Sequence, residues 1–394
     1  MFVRKMKRLI LIIPLFISFH CNVLEIEKPN LLQYLFVFSS PASVGVVTSD
    51  FSSGGRFKSF DLNSLTSSPT SATIHSDAIG RFFNQKVYIV NRLNRDTIQV
   101  LDPALAFLTV QDFSVGQGRN PHDISVWNDK YYIALYNSDA IPIYNANTGL
   151  LQGSISLSRF RETFSSSGNP DAFLEAESMV QHESRLFVTL QRLDRNDTSG
   201  FFPPNSDSLL IEIDLNLDQI VQVYTLPVRN PTGKIYKKTL FGDPHLLISC
   251  TAFTGFLSRN DGGIIAFHLP SRTFRPGFLY SEEVAGGDIS SFQIKNESIG
   301  YASILDASFK KSIQIFQPST GAKLGTLIEI PGNVGANLSG MFLTEDGKLI
   351  VGNTDFRSPG LIIYDTNQAN LLLSPAPISV ELTPLDIFQL QNSQ

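Results

Sequence analysis

Cysteine is almost missing from this chain: Cys21 and Cys250 are the only two in 394 residues. That excludes a disulfide framework and a thiolate metal cluster, both of which need more thiols at regular spacing. Charged residues amount to only 17%, too few for a coiled coil or a disordered body. The net charge of −5 is mild and no basic stripe accompanies it, so nucleic acid is not an expected partner. Long apolar runs are scarce as well. The stretch Leu9–Phe19 covers about half of a bilayer core, which is short of a transmembrane helix. No segment keeps a helical period. Gly-x-Ser-x-Gly, His-Glu-x-x-His and phosphate-cradling motifs do not occur. What is abundant is phenylalanine, at 30 copies, in a chain that is 42% hydrophobic, a composition that leans towards strands.

The first residues look like an address. Arg4, Lys5, Lys7 and Arg8 form a basic start, and the apolar stretch behind them contains Pro14 and stops at Cys21. This is the layout of a secretory signal. Cys21, preceded by Ser18, Phe19 and His20, resembles the acylated cysteine of a bacterial lipobox in the loose form found in spirochaetal lipoproteins. The alternative is an ordinary signal peptide cut nearby. The lipobox likeness implies residues 1–20 as signal, 21–42 as a lipidated tether, and an exported protein anchored to the cell envelope, at the outer membrane.

The body repeats. An apolar run closing on a polar residue recurs seven times, at Arg56–Asp61, Thr97–Asp102, Ala140–Asn145, Leu209–Asp214, Gly263–His268, Ser312–Gln317 and Gly360–Asp365. Each copy follows a second strand-like run, such as Val87–Asn91 or Leu349–Asp355, and most have a third run before that, such as Asp123–Val126. Spacings of roughly 40 to 55 residues, with one longer gap of about 70, fit propeller blades. The first copy lacks its opening strand. The C-terminal Pro384–Leu390 matches Pro121–Trp127 and supplies it. The expectation is an all-β, seven-bladed β-propeller over 43–394, closed by the C-terminal strand pairing into blade one.

At Val87–Asn91, Thr97–Asp102 and Asn120-Pro121-His122-Asp123 the chain resembles the YVTN-repeat, or surface-layer-like, seven-bladed propellers. The likeness covers about residues 43 to 392 and bears on fold more than on function. The blade with a long insertion, at about 146 to 214, departs from the regular length.

In such a ring the inner strands start at the channel mouth. Asp77, Asp123, Glu177, Asp288 and Asp386 occupy those starts, with Asn337 and Ser339 in the sixth position. One reading is a carboxylate ring able to hold a hard cation such as Ca²⁺, for which Asp123, Glu177 and Asp288 are the metal candidates. The other is that each carboxylate caps backbone N–H groups of the neighbouring blade. His75 and His122 lie beside the ring as candidate bases. Arg92, Arg192 and Arg259, on loops between second and third strands, either line the mouth for an anionic ligand or pair with the acids. Phe201-Phe202-Pro203-Pro204, in the longest such loop, is a candidate partner contact. Two functions follow. The first is a membrane-anchored, non-enzymatic binding or scaffold module for an envelope or extracellular protein or a small ligand, with no cofactor beyond a candidate Ca²⁺. The second is a metal-dependent hydrolase resembling lactone-hydrolysing propellers, with His122, Asp123, Glu177 and Asp288 as its catalytic set.

Overall fold

The computed structural model describes residues 43–391, apart from 70–71, 165–167, 169, 200, 254–258 and 333–336. Cys21, the signal-like segment and the tether lie outside the described residues. The seven apolar runs are the third strands of seven antiparallel sheets, each of four or five strands. Helix is confined to one α-turn, Glu282–Ala285, and two 3₁₀ turns among the described residues.

Burial explains why these runs are so apolar. A second strand such as Lys86–Asn91 is buried along nearly its whole length, because a blade packs against a neighbour on each face. The outer strand Leu108–Ser114 is mostly exposed. The core is accordingly split into seven clusters, one at each interface between neighbouring blades. Between blades three and four, for example, Tyr132, Ile141 and Ile143 meet Met179, Leu186 and Val188. The long gap in the repeat is taken up in blade four, by a connection ahead of the inner strand Ala176–His182 and by the loop from 191 to 208.

The ring closes as expected. The C-terminal strand Thr383–Gln389 pairs with Ser43–Ser49, in register from Val44 opposite Gln389 to Val47 opposite Asp386. Phe388 holds this joint. Its ring lies over Gly45 and Gly80, where an added Cβ would fall 2.5 Å and 1.9 Å from the ring. Two side-chain-free positions, one in blade one and one in blade two, thus seat one phenylalanine of the last strand.

Phe388→Ala should therefore lower unfolding free energy by about 3–5 kcal/mol, the usual cost of emptying a buried aromatic site. Urea denaturation followed by circular dichroism measures this. A midpoint equal to that of the wild type would show that the closing strand does not lock the ring.

Candidate functional site

The loops between second and third strands lie on the same face as the inner-strand starts, and backbone hydrogen bonds tie the two together. Arg92 N–H donates to Asp77 O, Tyr136 to Asn120, Gln191 to Glu175, Thr251 to Asn230 and Thr354 to Asn337, at 2.9–3.1 Å. Asn120, Glu175 and Asn230 sit in left-handed conformation at this step (φ 48°, 44° and 57°), which asparagine tolerates best.

Side chains of the inner strands, and of the second strand in blade five, then stitch each blade to the next. From blade one to two, Asp386 accepts from Gly80 N–H at 3.0 Å. From two to three, Arg81 Nε meets Asp123 Oδ1 at 2.8 Å. From three to four, Asp123 Oδ2 accepts from Met179 N–H and Ser178 Oγ at 2.8 and 3.1 Å. Ser178 Oγ accepts from Ile235 N–H of blade five, and Ser249 Oγ donates to Ile289 O of blade six. Gln293 Nε2 donates to Met341 O of blade seven, and Ser339 Oγ to Pro384 O of blade one. All seven interfaces carry such a link.

This belt corrects the picture of a carboxylate ring. Asp123 is fully buried and accepts from four donors, its own neighbour Ile124 N–H included, which leaves no lone pair facing the channel. Asp386 bridges Gly80, Ile387 and Lys234. Asp77 takes Arg92 through Nε and Nη2 at 3.0 and 2.5 Å. Asp288 lies beside Glu282 and Lys311 within blade six, away from the mouth, and its charge acts against the burial that draws the Lys311 ammonium down to about 8. Among the described residues, no three His, Cys, Asp or Glu side chains converge where a metal could bind. Asp123, Glu177 and Asp288 are thus not brought together as a ligand set, and the set His122, Asp123, Glu177 and Asp288 is not assembled either.

Other candidates part company too. Arg192 turns away from the mouth, donating to Phe160 O and the Glu162 carboxylate of the longer connection ahead of blade four and to Asp207 O of its own loop. Arg259 rests over the Phe253 ring at 4.4 Å instead of lining the mouth. His75 Nδ1 is held by the backbone of Asp77. Only Arg92, His122, Glu177 and Asp386 of the proposed set line the mouth.

The mouth is a cavity of about 300 Å³. Arg81, Lys234, Tyr236 and Phe292 line both it and the cavity of about 410 Å³ at the opposite end, so they form the partition between the two. Lys234 Nζ bonds Asp386 at 2.6 Å. Burial and the nearby Asp386 push the Tyr236 phenol above its ordinary value. His122 Nδ1 contacts Glu177 at 2.7 Å, its Nε2 contacts Asn120 at 3.2 Å, and its ring stacks on Tyr136. Arg81–Asp123, Lys234–Asp386 and Arg92–Asp77 therefore balance charge around one small space, and His122 hydrogen-bonds Glu177 beside them. Thr232 lines the mouth, and its buried Oγ has no partner.

Arg81 and Lys234 were not among the expected site residues. A signal for Lys234 exists: Asn230-Pro231-Thr232 repeats the Asn120-Pro121-His122 that opens blade three, and it marks the inner strand Pro231–Leu240. Arg81 has no such mark, being one polar residue in a short strand, Ala78–Phe83.

The same face carries exposed apolar residues at the loop tips. Phe51, Leu93, Phe201, Phe202, Phe309 and Phe356 all sit on loops between second and third strands. Phe51, Phe202 and Phe309 adopt φ of 55°, 45° and 60°. A left-handed backbone costs a side-chain-bearing residue roughly 1–2 kcal/mol, and exposed rings recover little of that through burial.

The belt fixes a pH dependence. Burial alone would raise Asp386, but Lys234, Arg81 and the Gly80 N–H outweigh it and hold its carboxyl below the ordinary range. Its stabilising contribution is then complete above about pH 4 and is lost as pH falls through the lowered native value. Asp386→Asn should cost about 3 kcal/mol at neutral pH by leaving Lys234 unpaired, and should flatten the decline in stability below pH 4. Urea midpoints between pH 2.5 and 7 check this, and parallel wild-type and variant curves would contradict it.

No protein-family model and no curated protein sequence matches the chain. Solved structures are similar to it. Dihydro-heme d1 dehydrogenase NirN in complex with DHE is 13% identical, with 89% of this chain and 76% of that one covered at a TM-score of 0.56. A mutant Synechocystis apocarotenoid oxygenase is 9% identical over 88% and 92%, with a TM-score of 0.53. Kuenenia stuttgartiensis hydrazine synthase is 11% identical over 82% and 96%, with a TM-score of 0.50. At these identities the likeness is one of fold, so the chain is a seven-bladed β-propeller whose function has to be argued from its own side chains.

Proposed function

We propose that this chain is a membrane-tethered, non-enzymatic binding module that takes a small polar ligand at the mouth of its central channel. The carrying observation is the mouth itself: a walled cavity, closed by a charged partition, in which three ion pairs cancel and His122 hydrogen-bonds Glu177. An anionic guest would have to break a pair to reach Arg81, Arg92 or Lys234, whereas a neutral, hydrogen-bonding guest finds both donors and acceptors. The hydrolase reading is less well supported. Both ring nitrogens of His122 are engaged, and neither bonds a hydroxyl that would serve as nucleophile.

Orientation follows from the chain path. Ser43 pairs with Asp61 at the end of blade one opposite the loop 50–54, so the tether joins the body on the face away from the mouth. A lipid on Cys21 would then attach the body through the face away from the mouth. The start of the chain and its resemblance to a loose lipobox support this tethering.

Thermal unfolding with a panel of amino acids, polyols and neutral sugars tests the reading. A bound solute at a hundred times its Kd adds about 2.7 kcal/mol of stability. At least one neutral solute should raise the midpoint, and Glu177→Gln should abolish that rise. A panel without effect, or a rise that survives Glu177→Gln, would remove the mouth as the site. Lactone turnover lost in His122→Ala would establish the hydrolase instead.

A further inference from the structure

We propose that the ligand is a neutral oligosaccharide, with one sugar in the channel mouth and the following sugars stacked on the phenylalanine-bearing loops. The inference rests on the mouth being a polar-ligand site and adds what lies beside it. A second cavity of about 270 Å³ adjoins the mouth through Thr232, which lines both. Tyr136, Phe201, Phe202 and Phe253 supply its rings, and Pro203 and Pro204 its edge. Arg195 holds this wall from behind. Its guanidinium lies over Tyr136 and Phe202 at 5.0 Å each and is fixed by the buried Glu175 at 2.8 Å. The partnerless Thr232 hydroxyl sits at the junction, the kind of buried polar atom that a bound hydroxyl satisfies.

The exposed apolar residues of this face differ in chemistry from those elsewhere on the described surface, Phe278 excepted. Five of the six at its loop tips are phenylalanine: Phe51, Phe201, Phe202, Phe309 and Phe356. Those along the outer strands are aliphatic, as at Leu108, Val110, Leu151, Val221, Leu324 and Leu371. A bilayer or a greasy protein patch would take leucine as readily as phenylalanine. Stacking requires a ring. The C–H face of a sugar lies flat on the negative face of an aromatic ring, while its hydroxyls reach sideways to polar groups. Phe51 and Phe356 already meet edge to face at 5.8 Å across blades one and seven, so the rings extend around the mouth beyond the cleft. The paired cations of the mouth complete the match, because a sugar without carboxylate or amine breaks none of the Arg81–Asp123, Arg92–Asp77 and Lys234–Asp386 pairs.

Isothermal titration of the full chain with glucose, maltohexaose, cellohexaose and chitohexaose tests this, with phosphatidylcholine vesicles as a parallel arm. At least one hexasaccharide should bind more tightly than glucose. The double variant Phe201→Ser/Phe202→Ser should weaken it by about tenfold, as the loss of two stacking faces implies, without altering the thermal midpoint. Phe51→Ser/Phe356→Ser should weaken it by a smaller factor. Glu177→Gln should remove binding altogether. If a small polar solute binds at the mouth but no hexasaccharide does, or if the loop variants leave hexasaccharide affinity unchanged, the oligosaccharide inference falls and the mouth reading stands. If vesicles bind through the phenylalanines and sugars do not, the face is a bilayer contact and the inference is again overturned. If nothing binds at the mouth, both fall together.

Discussion

The structure depends on a continuous polar belt around the channel. A propeller ring is made of separate sheets, and apolar packing between them is non-directional, so packing alone does not fix how far one blade slides or tilts against the next. The links around the channel from Asp386 round to Ser339 supply that direction, because each joins a defined side-chain atom to a defined backbone or side-chain atom of the adjacent blade. Buried bonds of this kind are strong when complete and costly when one member is missing. The belt and the apolar interfaces meet at the closing strand, where Asp386 holds blade two through Gly80 and Phe388 covers the same glycine two residues later.

Seen in that light, the acidic residues at the strand starts are structural first. A carboxylate at Asp123 satisfied by four donors cannot also offer oxygens to a cation, so the repeat that suggested a metal ring produces a stitched ring. The mouth inherits its character from this. Because the belt pairs its arginine and lysine side chains with carboxylates, what remains for a guest is a surface with hydrogen-bonding capacity at its rim.

How much of this was legible depended on which face a residue pattern reports. Second and third strands are buried on both sides, so runs such as Leu246–Cys250 and Gly263–His268 stand out as apolar and set the blade count. Inner strands border the channel on one edge, and their pattern is diluted by groups such as Lys234 and Lys237 in Pro231–Leu240, which is why that strand passed unmarked. Partners across the ring are invisible to local reading: Lys234 and Asp386 are 152 residues apart, and Arg81 finds Asp123 only because blades two and three are neighbours. The long loop carrying Phe201 and Phe202 was recognisable from its prolines, whereas Phe51, Phe309 and Phe356 looked like unremarkable loop residues until the topology placed them on one face.

That placement bears on why the rings are there at all. Phe51, Phe202 and Phe309 hold a backbone conformation that glycine or asparagine would adopt at less cost, and none of the three is buried. Local propensity does not account for them; ring contacts with Phe356 and Arg195 hold Phe51 and Phe202, and the surrounding fold carries the strain. A rigid ring makes such an arrangement workable, because strained loops on separate blades keep their spacing only if the blades cannot shift. The belt that withholds its carboxylates from a metal is thus also what would keep separated stacking faces in register for a single extended ligand.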